Sequence, residues 1–384
     1  MRGWGVWAGL VSGLVLAVAA AGPGRAASDG DISQCRLAGD VGKADHSIAA
    51  CDRVLGDASV TGAARAAALG NRCGWRWLKH DADGALADCS EAIRLDPAQI
   101  AAYLNRGNAF LSKGDVARAA QDFDEAVRRD PKSAWALTER GNLHRSRGNL
   151  DRALADFNDA VRLDPAYAAA YVNRGLLFKG RGDFDRALDD FNQSLKLDPN
   201  NALAYFNRGC VAYARGDNTV AIDDFGRALR LDPDNALVYF SRGVAYFVLG
   251  GHLPDAEADF RKANKINPLD PYAALWLELV ERRNNGPGHL KETAKPLDLA
   301  VWPAPLIRHY LGEANIAQAL AAAGDGDAKV RLAQSCEANF YGGELALLRH
   351  DRPEAQRLLQ IAADGCPQGF VEANAALMEL IALR

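Results

Sequence analysis

Past Ala27 the 384-residue sequence has no second apolar run comparable to its opening one, so the remaining chain is expected to be soluble. It has no basic excess either: the formal net charge is −4, which makes a nucleic-acid backbone a poor first partner. There is no His-Glu-x-x-His, no phosphate-cradling glycine loop and no Gly-x-Ser-x-Gly elbow. His46, His80, His144, His252, His289, His309 and His350 are scattered singly and read as surface or packing residues rather than bases. No cysteine pair has the short spacing of a zinc knuckle. No catalytic residue, metal or cofactor is therefore expected; an enzyme or glycan-binding reading survives only for an aperiodic stretch, 271–335.

Residues 1–27 differ from the rest. Arg2 precedes a nearly unbroken apolar run from Trp4 to Ala20, and Ala19-Ala20-Ala21 offers small residues for a signal peptidase. This reads as a secretory signal and an exported, periplasmic protein. The alternative reading of the same run is an uncleaved membrane anchor. A lipid anchor has no acceptor, because the first cysteine is Cys35, well past the run.

What the chain does have is a period. Asp-Pro recurs at Asp96-Pro97, Asp130-Pro131, Asp164-Pro165, Asp198-Pro199 and Asp232-Pro233 at one constant interval, and Asn267-Pro268 follows one position later than that interval would place it. Gly107, Gly141, Gly175, Gly209 and Gly243 come early in each unit; Ala119, Ala153, Ala187 and Ala221 come later, each followed four residues on by Phe123, Phe157, Phe191 and Phe225. Glycine and alanine let two antiparallel helices approach, phenylalanine fills their seam, and proline ends the second helix. The turns are legible in Gly114-Asp115, Gly148-Asn149, Gly182-Asp183 and Gly216-Asp217, and the extra residue falls in one of them, Leu249-Gly250-Gly251-His252. This pattern resembles the tetratricopeptide repeat (TPR), a helix-turn-helix unit of roughly 34 residues. The expected fold is all-α: a right-handed superhelical solenoid of antiparallel helix hairpins with an irregular helical C-terminal part. The expected divisions are a signal peptide at 1–27, a degenerate hairpin at 28–65, six repeats at 66–270, an irregular helical insert at 271–335, a TPR-like hairpin at 336–369 and a capping helix at 370–384.

One departure from the general repeat is systematic. Arg72, Arg106, Arg140, Arg174, Arg208 and Arg242 stand where leucine usually precedes the glycine, and Asp88, Asp122, Asp156, Asp190 and Asp224 precede the buried seam residue. Antiparallel helices bring these positions together, which predicts a ladder of partly buried ion pairs. On this reading Arg174→Leu should leave stability unchanged or raise it.

Seven cysteines in an exported chain imply up to three bridges. Cys35 and Cys51 have the same spacing as Cys73 and Cys89, and the latter two replace the glycine and phenylalanine that meet across a hairpin. Cys336 and Cys366 lie at the two ends of the C-terminal hairpin. The expected disulfides are 35–51, 73–89 and 336–366, with Cys210 left as a thiol.

The C-terminal third carries a narrower resemblance. Ala273-Ala274-Leu275-Trp276-Leu277, Trp302-Pro303, Leu306-Ile307-Arg308-His309-Tyr310-Leu311-Gly312, the run Cys336 to Glu344, and Phe370-Val371-Glu372-Ala373-Asn374 resemble the NlpI-type family of bacterial envelope TPR lipoproteins. That resemblance implies a homodimeric periplasmic adaptor for peptidoglycan hydrolases and a tail-specific protease. The missing lipidation cysteine means outer-membrane attachment does not carry over.

In such solenoids the first helix of each unit lines the concave face, so other proteins or peptide segments are the expected partners. The sixth residue is Asn71, Asn105, Asn173 or Asn207, interrupted by Glu139 and Ser241. Asparagine carries both donor and acceptor and can pair with an extended backbone whatever its side chains. Asn108, Trp135, Asn142, Arg145 and Lys179 add polar groove positions, and Phe206, Tyr213, Phe240 and Phe247 an apolar end where an anchor side chain would insert. The alternatives are solvated asparagines with packed aromatics, and a structural or assembly subunit of an envelope complex whose groove is filled permanently.

Overall fold

The structure, a computed structural model, describes residues 28–36, 41–324, 326–367 and 369–383; the signal segment of the sequence analysis lies outside the described residues. Among those residues there are helices and no strand. The chain divides into two compact units, the first ending at Pro199 and the second beginning at Asn200.

The first unit is a series of hairpins: α1 (Asp29–Cys35) with α2 (Ala44–Gly56), α3 (Gly62–Leu78) with α4 (Ala82–Leu95), α5 (Ile100–Ser112) with α6 (Val116–Arg129), α7 (Ala134–Ser146) with α8 (Leu150–Leu163), and α9 (Ala168–Gly180) with α10 (Phe184–Leu197). In the second unit α11 (Ala202–Ala214) pairs with α12 (Asn218–Leu231) and α13 (Ala236–Leu249) with α14 (Leu253–Ile266). There follow α15 (Pro271–Arg283), α16 (Leu290–Thr293), α17 (Ala304–Leu311), α18 (Ile316–Ala322), α19 (Ala328–Leu348), α20 (Arg352–Gly365) and α21 (Val371–Ala382). Two starts differ from the sequence boundaries: α3 begins at Gly62 rather than 66, and α19 at Ala328 rather than 336. Asp327 explains the second, because its carboxylate caps the backbone N–H groups of Lys329 and Val330 and so starts the helix early.

The repeat residues do what their chemistry allows. Phe123, Phe157 and Phe191 are fully buried against the opposite helix, each contributing on the order of 2 kcal/mol of transfer free energy. A methyl group on Gly107 would sit 2.4 Å from Cε1 of Phe123, so the seam closes only with glycine there. At the turns, Gly114 takes φ 77°, and Asp115 then caps α6 by accepting from the N–H of Arg118 at 3.0 Å. The inserted residue lies in the expected turn: α13 ends at Leu249, and Gly250 and Gly251 both have positive φ.

The cysteines close three bridges, 35–51, 73–89 and 336–366, with Cys210 outside them. The Cys73–Cys89 bridge spans Cα atoms 5.5 Å apart in the seam that glycine and phenylalanine occupy elsewhere. The ion-pair ladder is present with both carboxylate oxygens engaged. Arg174 donates from Nε and Nη2 to Asp190 at 2.9 and 2.7 Å, and Arg72, Arg106, Arg140, Arg208 and Arg242 do the same to Asp88, Asp122, Asp156, Asp224 and Asp259. Asp190 is only 4% exposed, which corrects the expectation for Arg174→Leu. Leucine alone would leave a buried carboxylate without its counter-ion, and only removal of both charges approaches neutrality.

Candidate partner-binding face

Within the first unit the first helices also touch one another, α3 with α5, α5 with α7 and α7 with α9, so they form one layer and the second helices another. The sixth positions of the first helices make different bonds. Asn173 Nδ2 donates to the carbonyl of Ala169 at 2.9 Å, four residues back. Glu139 instead accepts from Trp135 Nε1 at 3.2 Å, across the same interval. Asn105, 1% exposed, reaches the preceding repeat and donates to the Gly70 carbonyl at 3.5 Å. Asn71 and Lys179 are half-buried in the same layer. The asparagines thus spend donors internally, a use their spacing alone did not reveal.

What the layer leaves unsatisfied is concentrated on α5 and α7. Asn105 Oδ1, Asn142 Oδ1 and Arg145 Nε are shut off from solvent with no hydrogen-bond partner. Trp135, Glu139, Asn142 and Arg145 follow one another at three or four residues and share one helix face. Burial lowers the pKa of Arg145, with no neighbouring carboxylate countering it. Burial also pushes the Glu139 carboxyl up to about 7, against the Trp135 hydrogen bond. Asn108, one repeat before Asn142, is half-buried.

In the second unit the corresponding face is closed. Asn207 Nδ2 and Ser241 Oγ donate to the carbonyls of Leu203 and Leu237, both at 2.8 Å. Phe206 packs on Phe225 with ring centroids 5.8 Å apart. Phe240 and Phe247 present edges to Trp276 of α15 at 6.4 and 5.2 Å, and Phe247 is 6% exposed. Tyr213 donates its hydroxyl to the Val371 carbonyl at 3.4 Å, at the start of α21, which packs against α13, α19 and α20. Of the expected anchor residues Phe247 is thus buried against α15, while Phe206 and Phe240 pack on neighbouring rings and stay half-buried. Trp276 joins the two sets of rings, packing on Phe240 and Phe247 of α13 and on Phe340 and Tyr341 of α19.

Among the described residues no cluster of three or more histidines, cysteines or carboxylates is arranged to hold a metal, and no helix is long and apolar enough to cross a membrane.

These paired, stacked hairpins define a helical repeat solenoid. The tetratricopeptide repeat description matches residues 79–134 and 168–201, and the TPR repeat description matches residues 141–180 and 209–250. The chain is a tetratricopeptide-repeat protein, and its repeats are those of a protein–protein interaction scaffold. Among solved structures it is similar to the APC/C hetero-tetramer Cut9-Hcn1, at 15% identity and a TM-score of 0.52 over 66% of this chain and 54% of that one. It is also similar to PilF of Pseudomonas aeruginosa, at 15% identity and a TM-score of 0.49 over 57% and 97% of the two chains. A tetratricopeptide repeat protein from Parabacteroides merdae aligns at 21% identity and a TM-score of 0.46 over 63% and 93%. Identities this low show the fold alone. The matched repeats span residues 79–250, whereas the NlpI-type resemblance rests on residues 273–374.

Proposed function

We propose that this protein is an exported, periplasmic, non-catalytic adaptor whose first-helix layer in the first unit holds an extended segment of a partner protein. The observation that carries the reading is the set of orphaned polar atoms on α5 and α7, Asn105 Oδ1, Asn142 Oδ1 and Arg145 Nε. A buried polar atom without a partner costs roughly 1–3 kcal/mol, and the Asn142 and Arg145 side chains would recover that by turning outward onto a bound backbone with its alternating donors and acceptors. Three disulfides fit an oxidising compartment, which supports export. The C-terminal resemblance supplies the narrower reading, a homodimeric adaptor for peptidoglycan hydrolases or a tail-specific protease. A permanently filled structural subunit is less well supported, because the layer in the first unit is polar.

A photo-crosslinking residue at Asn108, in the first-helix layer, and one at Arg128, exposed on α6, test this in periplasmic extract. The adaptor reading expects a defined crosslinked partner from position 108 only, and capture reduced at least ~10-fold by Asn142→Ala with Arg145→Ala, the loss of about two charge-assisted or neutral hydrogen bonds. Equal crosslinking from both positions, or undiminished capture, would move the partner off this layer.

A further inference from the structure

Among the described residues, the contact between α19 and α21 holds more carboxyl groups than guanidinium groups. Glu337 and Glu344 lie seven residues apart on α19, and Glu372 and Glu379 seven apart on α21, so each helix presents its two acids on one face. Glu337, Glu344 and Glu372 are 8%, 0% and 5% exposed. Glu337 Oε2 accepts from Tyr272 Oη at 2.8 Å and Trp302 Nε1 at 2.5 Å. Arg283 of α15 is the guanidinium at the other pair, donating to Glu344 at 2.9 Å and to Glu379 at 2.9 Å. Glu344 Oε1 has no partner. Four acids facing one guanidinium fit in a buried contact only if some of them are protonated.

The other groups around the contact do not supply the missing charge. Tyr213 of α11, Tyr272 of α15 and Tyr341 of α19 surround the Glu372 end, with Tyr310 of α17 near Glu344, and burial raises the pKa of each. On α13, Arg242 is committed to Asp259, Tyr239 and Tyr246 lie under its guanidinium, and Tyr246 also meets His252. Arg352 of α20 donates to the carbonyl of Leu383 beyond the end of α21.

We propose that α21 is a proton-dependent latch: protonated carboxyls keep it seated on α19 and α13, and their ionisation releases it and bares the aromatic face of α11 and α13. Release needs no partner and does not rest on the adaptor reading above. Burial, reinforced by the neighbouring acid in each pair, pushes Glu344 and Glu372 from 4.5 up to about 8. A raised carboxyl pKa means the seated helix holds a proton that the free helix gives up near 4.5. Seating is therefore strongest below that value, weakens as pH rises through the interval to about 8, and changes no further above it. With two such groups, release becomes easier by up to ~100-fold per pH unit.

Hydrogen exchange of the full chain from pH 6 to 8.5, corrected for the intrinsic rate, reads the latch directly. Protection of residues 371–383 should fall by at least ~100-fold, while α15, α17 and α19 keep theirs. Glu344→Gln with Glu372→Gln should flatten the profile to within ~3-fold. Should that pair fold poorly, Glu337→Gln alone removes the charge acting on Glu372 and should move the midpoint to lower pH. A wild-type profile without slope, an unmoved midpoint in Glu337→Gln, or loss of protection spread equally over α15, α17 and α19 would overturn the latch.

Discussion

The repeats and the C-terminal helices handle buried charge in opposite ways. In the repeats each buried aspartate is held by an arginine through two hydrogen bonds, from Arg72–Asp88, where Arg76 and Asp52 join the pair, to Arg242–Asp259. Between α19 and α21 two carboxyl groups, Glu344 and Glu379, share Arg283, while Glu337, met by the Tyr272 hydroxyl and the Trp302 indole, lies beside the buried Glu372. Arginine does not lose its proton at any pH the protein meets, so a matched ladder responds to pH only through its aspartates, of which burial raises the pKa of Asp190 and Asp259. An excess of buried acids can be accommodated only by taking up protons, which makes its stability a function of pH. Repetition thus favours a charge arrangement that works identically in every copy, whereas the aperiodic end carries one that responds to its surroundings.

Removing one partner of a ladder pair gives the largest effect. Arg174→Leu is expected to cost about 3 kcal/mol because Asp190 stays buried, and Arg174→Leu with Asp190→Ala should recover most of that. Urea unfolding midpoints of the two variants at pH 7 decide it; equal losses would mean that Asp190 has a second source of stabilisation.

Next comes the hairpin that departs from its neighbours. Cys73→Ala with Cys89→Ala removes a bridge closing a short loop, about 3 kcal/mol in the chain-entropy account. Cys73→Gly with Cys89→Phe writes the neighbouring seam into this hairpin, and recovery of more than half the loss in thermal melting would show that bridge and seam do the same job. Failure to recover would mark this hairpin as differently packed.

The smallest expected effect places a pH response inside the repeats, where the comparison says it should be rare. Glu139, raised to about 7 by burial, holds a proton when folded that it releases near 4.5 when unfolded, so the wild type loses stability as pH rises between those values. Glu139→Gln keeps the acceptor for Trp135 and removes the titration. The variant should match the wild type at pH 4 and exceed it at pH 8 by less than the ~3 kcal/mol of the full shift, because Glu139 is only half-buried. Parallel melting curves across that range would mean the carboxyl is hydrated.

How much of this was legible beforehand followed the range of the interactions. The hairpin seam, the Gly114-type turns, the Arg–Asp ladder and the three cysteine pairs join residues of one hairpin, whose spacing a sequence displays. The seating of α21 does not. It joins Val371 to Tyr213 and Glu379 to Arg283, across intervals that no repeat period organises. A signal was nonetheless present: Glu337 and Glu344, and Glu372 and Glu379, are acids at heptad spacing among apolar and small residues of their helices, a pattern that surface helices do not need. At the candidate face, spacing located the layer but not the use of its donors, because whether Asn173 turns to solvent or to the Ala169 carbonyl is a rotamer choice.

The positions of the three disulfides have a mechanical consequence. A stack of similar hairpins behaves as a one-dimensional lattice, in which a unit at the edge has one neighbour and an interior unit two, so such lattices fray from their edges inward. Bridges 35–51 and 73–89 lie in the first two hairpins of the described chain and 336–366 joins α19 to the end of α20, while the hairpins from α5 to α14 have none. In the first unit the cross-links therefore hold the first two hairpins of the described chain, and fraying from that side is met by covalent bonds. Within that unit, opening the hairpins α5–α6 or α7–α8 must break two interfaces at once.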